Sequence, residues 1–247
     1  MNDASITGED ESILTRPAPE PDHTAAYGED PDQVAAVRLG DATRPLLVIL
    51  HGGFWRPRYD RAYTGPMAEA LRAAGWTTVS AEYRRIPGDP GATVADVRAA
   101  LAALPSLVTA HDGRVIVIGH SAGGQLALHA AVNDPKLHAV VALSPVADLR
   151  RAEELGLGGG AVRAFLGASD GEALDPARLP PVPSGKVVLL HGRRDETVPV
   201  ELSEAYVARR GGELIAPEDA HHYSFADPRD PHWPVLTDTL SGLSRRA

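Results

Sequence analysis

Apolar residues in this chain fall in short unbroken runs, separated by segments with helical spacing. Leu46-Leu47-Val48-Ile49-Leu50 and Val115-Ile116-Val117-Ile118 contain no polar interruption. Runs of this length and type are strands buried on both faces. Similar strands are expected at Val34–Leu39, Trp76–Ala81, His138–Leu143 and Lys186–Leu190, with a short one near Glu213–Ala216. Between them lie helical patterns. Pro66–Ala74 is closed by Gly75, the residue type that ends helices. Thr93–Leu104 places Val94, Val97, Leu101 and Leu104 on one face. Gln125–Ala131 and Val200–Arg210 follow, and a last helix starts near Pro234. Alternation of this kind predicts an α/β fold, a mostly parallel central sheet with helices on both faces.

Two stretches break the alternation. Residues 1–25 are rich in Pro, Asp, Glu and Thr and read as a flexible or extended arm, which leaves 26–247 as a single domain. Residues 149–184 hold Gly156-Leu157-Gly158-Gly159-Gly160, a helical piece at Ala161–Leu166, and a Pro-Pro-Val-Pro run. An insertion after a strand's C-terminal end overlies the ligand crevice of such a sheet, so a small cap or lid is expected, with an ordinary surface crossover as the alternative.

Composition narrows the function classes. The apolar fraction of 43% and charged fraction of 23% are those of a globular domain. The chain has no cysteine, which excludes disulfides, thiolate catalysis and cysteine metal sites, and is compatible with a reducing compartment. A net charge of −9 argues against general nucleic-acid binding. The first residues are acidic and polar, unlike a secretion signal, and no apolar run approaches the ~20 residues of a membrane span. A cytoplasmic location with no membrane partner is expected. No Walker loop, dinucleotide fingerprint or His-Glu-x-x-His motif is present, so neither a cofactor nor a metal is expected. A small-molecule partner is expected, and a homodimer is left open.

The chemistry centres on Gly119-His120-Ser121-Ala122-Gly123. A strand precedes it and a helix follows. This G-x-S-x-G arrangement is a nucleophile elbow, a tight turn that pushes a serine hydroxyl out of the sheet. Side chains two residues either side would collide with the turn, which favours glycine there. A serine hydroxyl is weakly nucleophilic and needs a base, itself oriented by an acid. Asp195 lies five residues past Leu190, on a loop at a strand's C-terminal end. Asp148 and Glu196 are rivals for the acid. The base is one of the pair His221 and His222, with His222 favoured and His221 supporting the loop. An oxyanion hole needs two amide donors. Ala122 supplies one by position, and the glycine turn His51-Gly52-Gly53-Phe54-Trp55, directly after a strand, supplies Gly53 and Phe54. Trp55, Tyr83, His120 and Tyr223 are candidate pocket residues.

With these residues in place the chain resembles the α/β-hydrolase superfamily, from about Tyr27 to its end. It looks like the H-G-G-x-W group that includes bacterial kynurenine formamidase-like proteins and small carboxylesterases. Tyr27–Gln33, His51–Arg56, Glu82–Arg85, Gly119–Gly124, Leu143–Leu149 and Asp195–Pro199 carry the resemblance. Aligning His222–Pro228 with the family's histidine loop supports His222 over His221, although Ser224 stands where relatives often have an acid. The resemblance implies a serine hydrolase acting on a small carboxylic ester through an acyl-enzyme on Ser121. An arylformamidase cleaving N-formyl aromatic amines uses the same groups. A non-catalytic ligand receptor on this scaffold is the third reading, and such receptors usually lack one member of the triad.

Overall fold

The computed structural model describes residues 9–182 and 186–245. Residues 1–8 of the N-terminal arm and 183–184 of the expected cap lie outside the described residues.

Among the described residues eight strands form one sheet: β1 (His23–Ala26), β2 (Val34–Arg38), β3 (Leu46–Leu50), β4 (Thr78–Ala81), β5 (Val115–His120), β6 (Ala139–Leu143), β7 (Lys186–Leu190) and β8 (Glu213–Ile215). Their spatial order is β1-β2-β4-β3-β5-β6-β7-β8. The β1–β2 and β2–β4 pairs are antiparallel, and all others are parallel. Helices cover both faces, as the unbroken apolar runs require. On β3, Leu46, Val48 and Leu50 enter a core shared with α2 (Pro90–Leu107), α3 (Ala122–Asn133) and α6 (Glu201–Arg210). Leu47 and Ile49 point the other way, to a core closed by α1 (Gly65–Ala73) and α7 (Trp233–Ser244). Among the described residues no helix is long and apolar enough to cross a membrane.

β4 lies on one side of β3 and β5 on the other. The connection leaving β3 runs to β4 and the one leaving β5 runs the other way to β6, which opens a crevice at the C-terminal ends of β3 and β5. Register makes the crevice specific. Leu50 pairs with Gly119, and His120 with Leu143. The glycine turn after β3 and the elbow after β5 therefore leave the sheet side by side.

Two segments have more structure than their composition suggests. In the arm, Ser12–Thr15 forms a 3₁₀ turn whose Ile13 is fully buried in the α1/α7 core, and His23–Ala26 joins the sheet as β1. The insertion after β6 begins with α4 (Leu149–Glu154), capped by the Asp148 side chain, which accepts from the Arg151 amide. α5 (Leu157–Leu166) follows, and within it Gly158, Gly159 and Gly160 all have left-handed φ of 58°, 62° and 81°. Three consecutive residues in that region are tolerable only because each lacks a Cβ. The regular part of α5 packs Phe165 flat against Trp55, with ring centroids 4.5 Å apart.

Candidate active site

Ser121 sits between β5 and α3 at φ 56°, ψ −118°, a conformation non-glycine residues rarely hold. Its amide donates to Leu143 O at 2.8 Å. The flanking glycines are dictated by contact. A Cβ on Gly119 would lie 2.2 Å from Gly123 O, and one on Gly123 would lie 2.2 Å from Leu50 O. The elbow thus presses the start of α3 onto the end of β3. Ala122 is the first residue of α3, so its N–H has no acceptor within the helix and points out of its N-terminus.

The turn after β3 is strained as well. Gly53, Phe54 and Trp55 have φ of 104°, 52° and 54°. Among the described residues no backbone carbonyl accepts from the Gly53 or Phe54 amide. Among the described residues the amides of Gly53, Phe54 and Ala122 thus donate to no backbone carbonyl, and Gly53 and Phe54 line the same pocket as Ser121. His51 braces this turn from beneath. Its Nε2 meets Glu82 Oε1 at 2.9 Å, its Nδ1 meets Gly52 O at 2.8 Å, and its ring stacks on Tyr83 at 4.3 Å.

Asp195 and His222 come together from separate loops, with His222 Nδ1 at 2.8 Å from Asp195 Oδ2. The other carboxylate oxygen accepts from the amides of Thr197 and Val198, at 3.0 and 2.6 Å. Oδ2 also lies 3.1 Å from His191 Nε2, a ring otherwise held by Ser203 Oγ and Val198 O. Burial resists ionisation of Asp195, but the His222 charge and bonds from both imidazoles hold its pKa well below the usual carboxylate range. Burial likewise disfavours the His222 imidazolium, yet the Asp195 charge and hydrogen bond outweigh it and raise its pKa above 6.5. With Nδ1 engaged by Asp195, Nε2 is the ring nitrogen that the aspartate does not hold. Ser121 and His222 both open onto one pocket of about 640 Å³.

His120 links the parts. Its Nε2–H donates to His222 O at 3.1 Å, which leaves Nδ1 to accept from Tyr63 Oη at 2.9 Å. Tyr63 Oη in turn accepts from the Gly52 amide. Burial, then the His222 charge, depress the His120 pKa to about 3, so its ring stays neutral. One neutral imidazole thereby ties the glycine turn, the elbow and the histidine loop together.

The rivals fall elsewhere. Asp148 caps α4 and takes Arg209 Nη1 at 3.1 Å. Glu196 lies at the pocket rim with an exposed side chain. His221 Nε2 pairs with Asp230 Oδ2 at 3.1 Å. Of the four expected pocket residues, His120 and Tyr223 line the pocket. Trp55 and Tyr83 do not, which corrects the sequence expectation. Trp55 is turned inward, stacked on Phe165 with its Nε1 donating to Gln125 Oε1 at 3.2 Å. Tyr83 is fully buried, its hydroxyl donating to His51 O at 2.6 Å. The walls come instead from Phe54, Tyr59, Tyr63 and the Leu155–Gly159 segment of the insertion. Sequence reasoning also missed Glu11 and Leu14 of the arm, which close the remaining side. No local signal marks them, because they reach the pocket only through tertiary packing. Among the described residues, no group of three His, Cys, Asp or Glu side chains is gathered to hold a metal.

Comparison with known proteins bears on the fold and the family. A family model described as the alpha/beta hydrolase fold matches residues 47–174, more than half of the chain. A Mycobacterium tuberculosis protein named "Probable carboxylic ester hydrolase LipM" is 32% identical over 100 residues, covering 38% of this chain and 23% of that one. An Arabidopsis thaliana protein named "Probable carboxylesterase 5" is 31% identical over 110 residues, 37% of this chain and 33% of that one. The matched segment is thus a quarter to a third of these relatives' own length. Among solved structures, a truncated carbohydrate esterase from gut microbiota superimposes with a TM-score of 0.78 at 17% identity, over 93% of this chain and 99% of that one. Esterase B from Lactobacillus rhamnosis gives 0.77 at 20%, over 95% and 90%. At these identities the structural likeness speaks for the fold alone.

Proposed function

The chain belongs to the alpha/beta hydrolase fold family, and from that premise we propose that it hydrolyses small carboxylic esters through an acyl-enzyme on Ser121. The observation that carries the reading is convergence. A serine strained to φ 56° at a helix N-terminus opens onto the same pocket as a histidine 2.8 Å from a buried, ionised aspartate. The ester-hydrolase names of the sequence relatives add support.

In the proposed reaction Ser121 Oγ attacks the ester carbonyl carbon as its proton passes to His222 Nε2. Negative charge moves to the carbonyl oxygen, where the amides of Gly53, Phe54 and Ala122 receive it. Asp195 steadies the imidazolium without taking its proton. Collapse of the tetrahedral adduct breaks the ester C–O bond, and the imidazolium protonates the departing alkoxide. Water then attacks the acyl-enzyme by the same route, releasing the acid and regenerating Ser121.

The test pairs a variant with two substrates. Ser121→Ala should lower kcat on p-nitrophenyl acetate by about 10⁶-fold, the scale seen when a triad nucleophile is removed. Retention of parental turnover would end the mechanism. N-formylkynurenine is the informative competitor, since an arylformamidase would use the same groups. A larger kcat/KM for it than for small esters would move the reaction to formamides.

A further inference from the structure

The N-terminal arm carries an acid outside the assembly described above. Glu9 Oε1 accepts from the His222 amide at 3.0 Å and from the Glu196 amide at 3.1 Å. Its Oε2 accepts from Thr197 Oγ1 at 2.7 Å. One carboxylate therefore holds the loop bearing Asp195 and the loop bearing His222. We propose that Glu9 is a positioning residue for the active site, fixing the separation of acid and base by binding both loops at once. The inference rests on the assignment of Ser121, Asp195 and His222 made above.

Three features set this contact apart from an incidental one. Glu9 bonds to the backbone of His222 itself and to Glu196 and Thr197, the two residues that follow Asp195, so it acts at or next to both members of the pair. The arm is also fastened independently. Ile13 is buried in the core, and Arg16 forms a two-pronged ion pair with Asp227, five residues past His222. That pair clamps the histidine loop at a second point, so Glu9 is delivered by a segment that cannot swing away without breaking it. Finally, Glu9 contributes charge. The groups facing His222 are Asp195 with His191 behind it, His120 and Tyr223 on its flanks, and Glu9 and Glu11 from the arm. Burial works against the imidazolium. Asp195 most strongly, then Glu9 and Glu11, favour it.

Position and charge can be separated by substitution. Glu9→Gln keeps an oxygen for both amides and a polar partner for Thr197 while removing the charge. Glu9→Ala removes both. The readout is the second-order rate of Ser121 labelling by a fluorophosphonate probe, across pH, in the full-length chain, with Tm recorded for each variant. Glu9→Ala should label roughly ten- to a hundredfold more slowly at all pH values, the cost of a base displaced by a fraction of an ångström to about 1 Å. Glu9→Gln should match the parent at high pH, with its acid limb moved to lower pH. If both variants keep the parental rate and acid limb, the inference is overturned. It also falls if Glu9→Ala slows labelling only in proportion to lost folded protein while Glu9→Gln leaves the limb in place. A parent chain that resists the probe overturns the hydrolase reading together with this one, whereas a labelled parent with indifferent variants overturns the role of Glu9 alone.

Discussion

Replacing Gly123 by alanine should injure the site through the contact between the start of α3 and the end of β3, with every reacting group still present. The added Cβ would stand 2.2 Å from Leu50 O and 2.3 Å from His51 O, whereas real Cβ atoms essentially never come within 3.0 Å of a neighbour. Both obstacles are backbone, so they cannot rotate away. The start of α3 must retreat from the end of β3 by about 0.8 Å, the gap between 2.2 and 3.0 Å. Overpacking of this kind costs about 1–3 kcal/mol, or roughly 2–12 °C in Tm for a chain of this size. The functional cost is larger, because the retreat separates the Ala122 amide from those of Gly53 and Phe54. A misplacement of that order costs about a hundredfold in rate, and losing one oxyanion donor costs about 10²–10³. The assay is kcat and KM on p-nitrophenyl acetate, well below the variant's Tm. The expected result is a hundredfold fall in kcat with KM little changed. Gly242→Ala in α7 serves as control. Its Cβ would meet nothing within 4 Å, so it should gain up to about 1 kcal/mol and keep its turnover. A Gly123→Ala protein with kcat within about threefold of the parent and an unchanged Tm would refute the reasoning.

Asp195→Asn should keep the fold, since the amide oxygen can still accept from Thr197 and Val198, but it favours the wrong His222 tautomer. A kcat loss near 10⁴ is expected, checked by steady-state kinetics beside a thermal melt. His222 works as a base only when neutral, and its pKa is raised by Asp195 against the opposing effect of burial. The acid limb of kcat/KM should therefore lie above pH 6.5, and a limb at or below that value would contradict the assignment. Glu82 is ionised under the glycine turn. Burial opposes its charge, but His51, the Arg61 amide and Arg85 hold its pKa at about 2. A depressed carboxylate pKa contributes stability that is present above the usual 4.5 and lost as pH falls toward 2. Glu82→Gln should accordingly lose about 3–5 kcal/mol in neutral urea melts, with the difference shrinking in acid.

What could be read in advance was local. The elbow is legible because its glycines, its serine and the flanking strand and helix lie within one stretch of chain. The turn after β3 is legible for the same reason. Strand ends set where loops fall, which narrowed the acid to Asp195, Asp148 or Glu196 and the base to His221 or His222, and the family resemblance supported His222. Orientation was a different matter. Trp55 and Tyr83 are aromatic residues beside the site in sequence. The left-handed φ of Trp55 and its stack on Phe165 turn one inward, and a bond to His51 O turns the other. The arm was least legible. Its Pro-rich and acidic composition describes a segment that cannot fold alone, and that much is sound physics. Its order comes from Asp227, His222 and the core under Ile13, none of which is near it in the chain.

That distance bears on how the protein is made. Glu9 and the His222 amide are 213 residues apart, and Arg16 and Asp227 are 211. During synthesis at about 5–20 residues per second, the arm waits roughly 10–40 s for the surface it docks on. Until then the elbow and the glycine turn can already be built on β3 and β5, with the nucleophile and oxyanion donors in place but no base. A nascent chain without the histidine loop therefore has no means of activating Ser121. Closure of the first segment onto one of the last is then a late folding event, slow to find because the contact is so non-local. On the proposed reading full activity waits for that closure, so the rise in turnover reports completion of the fold.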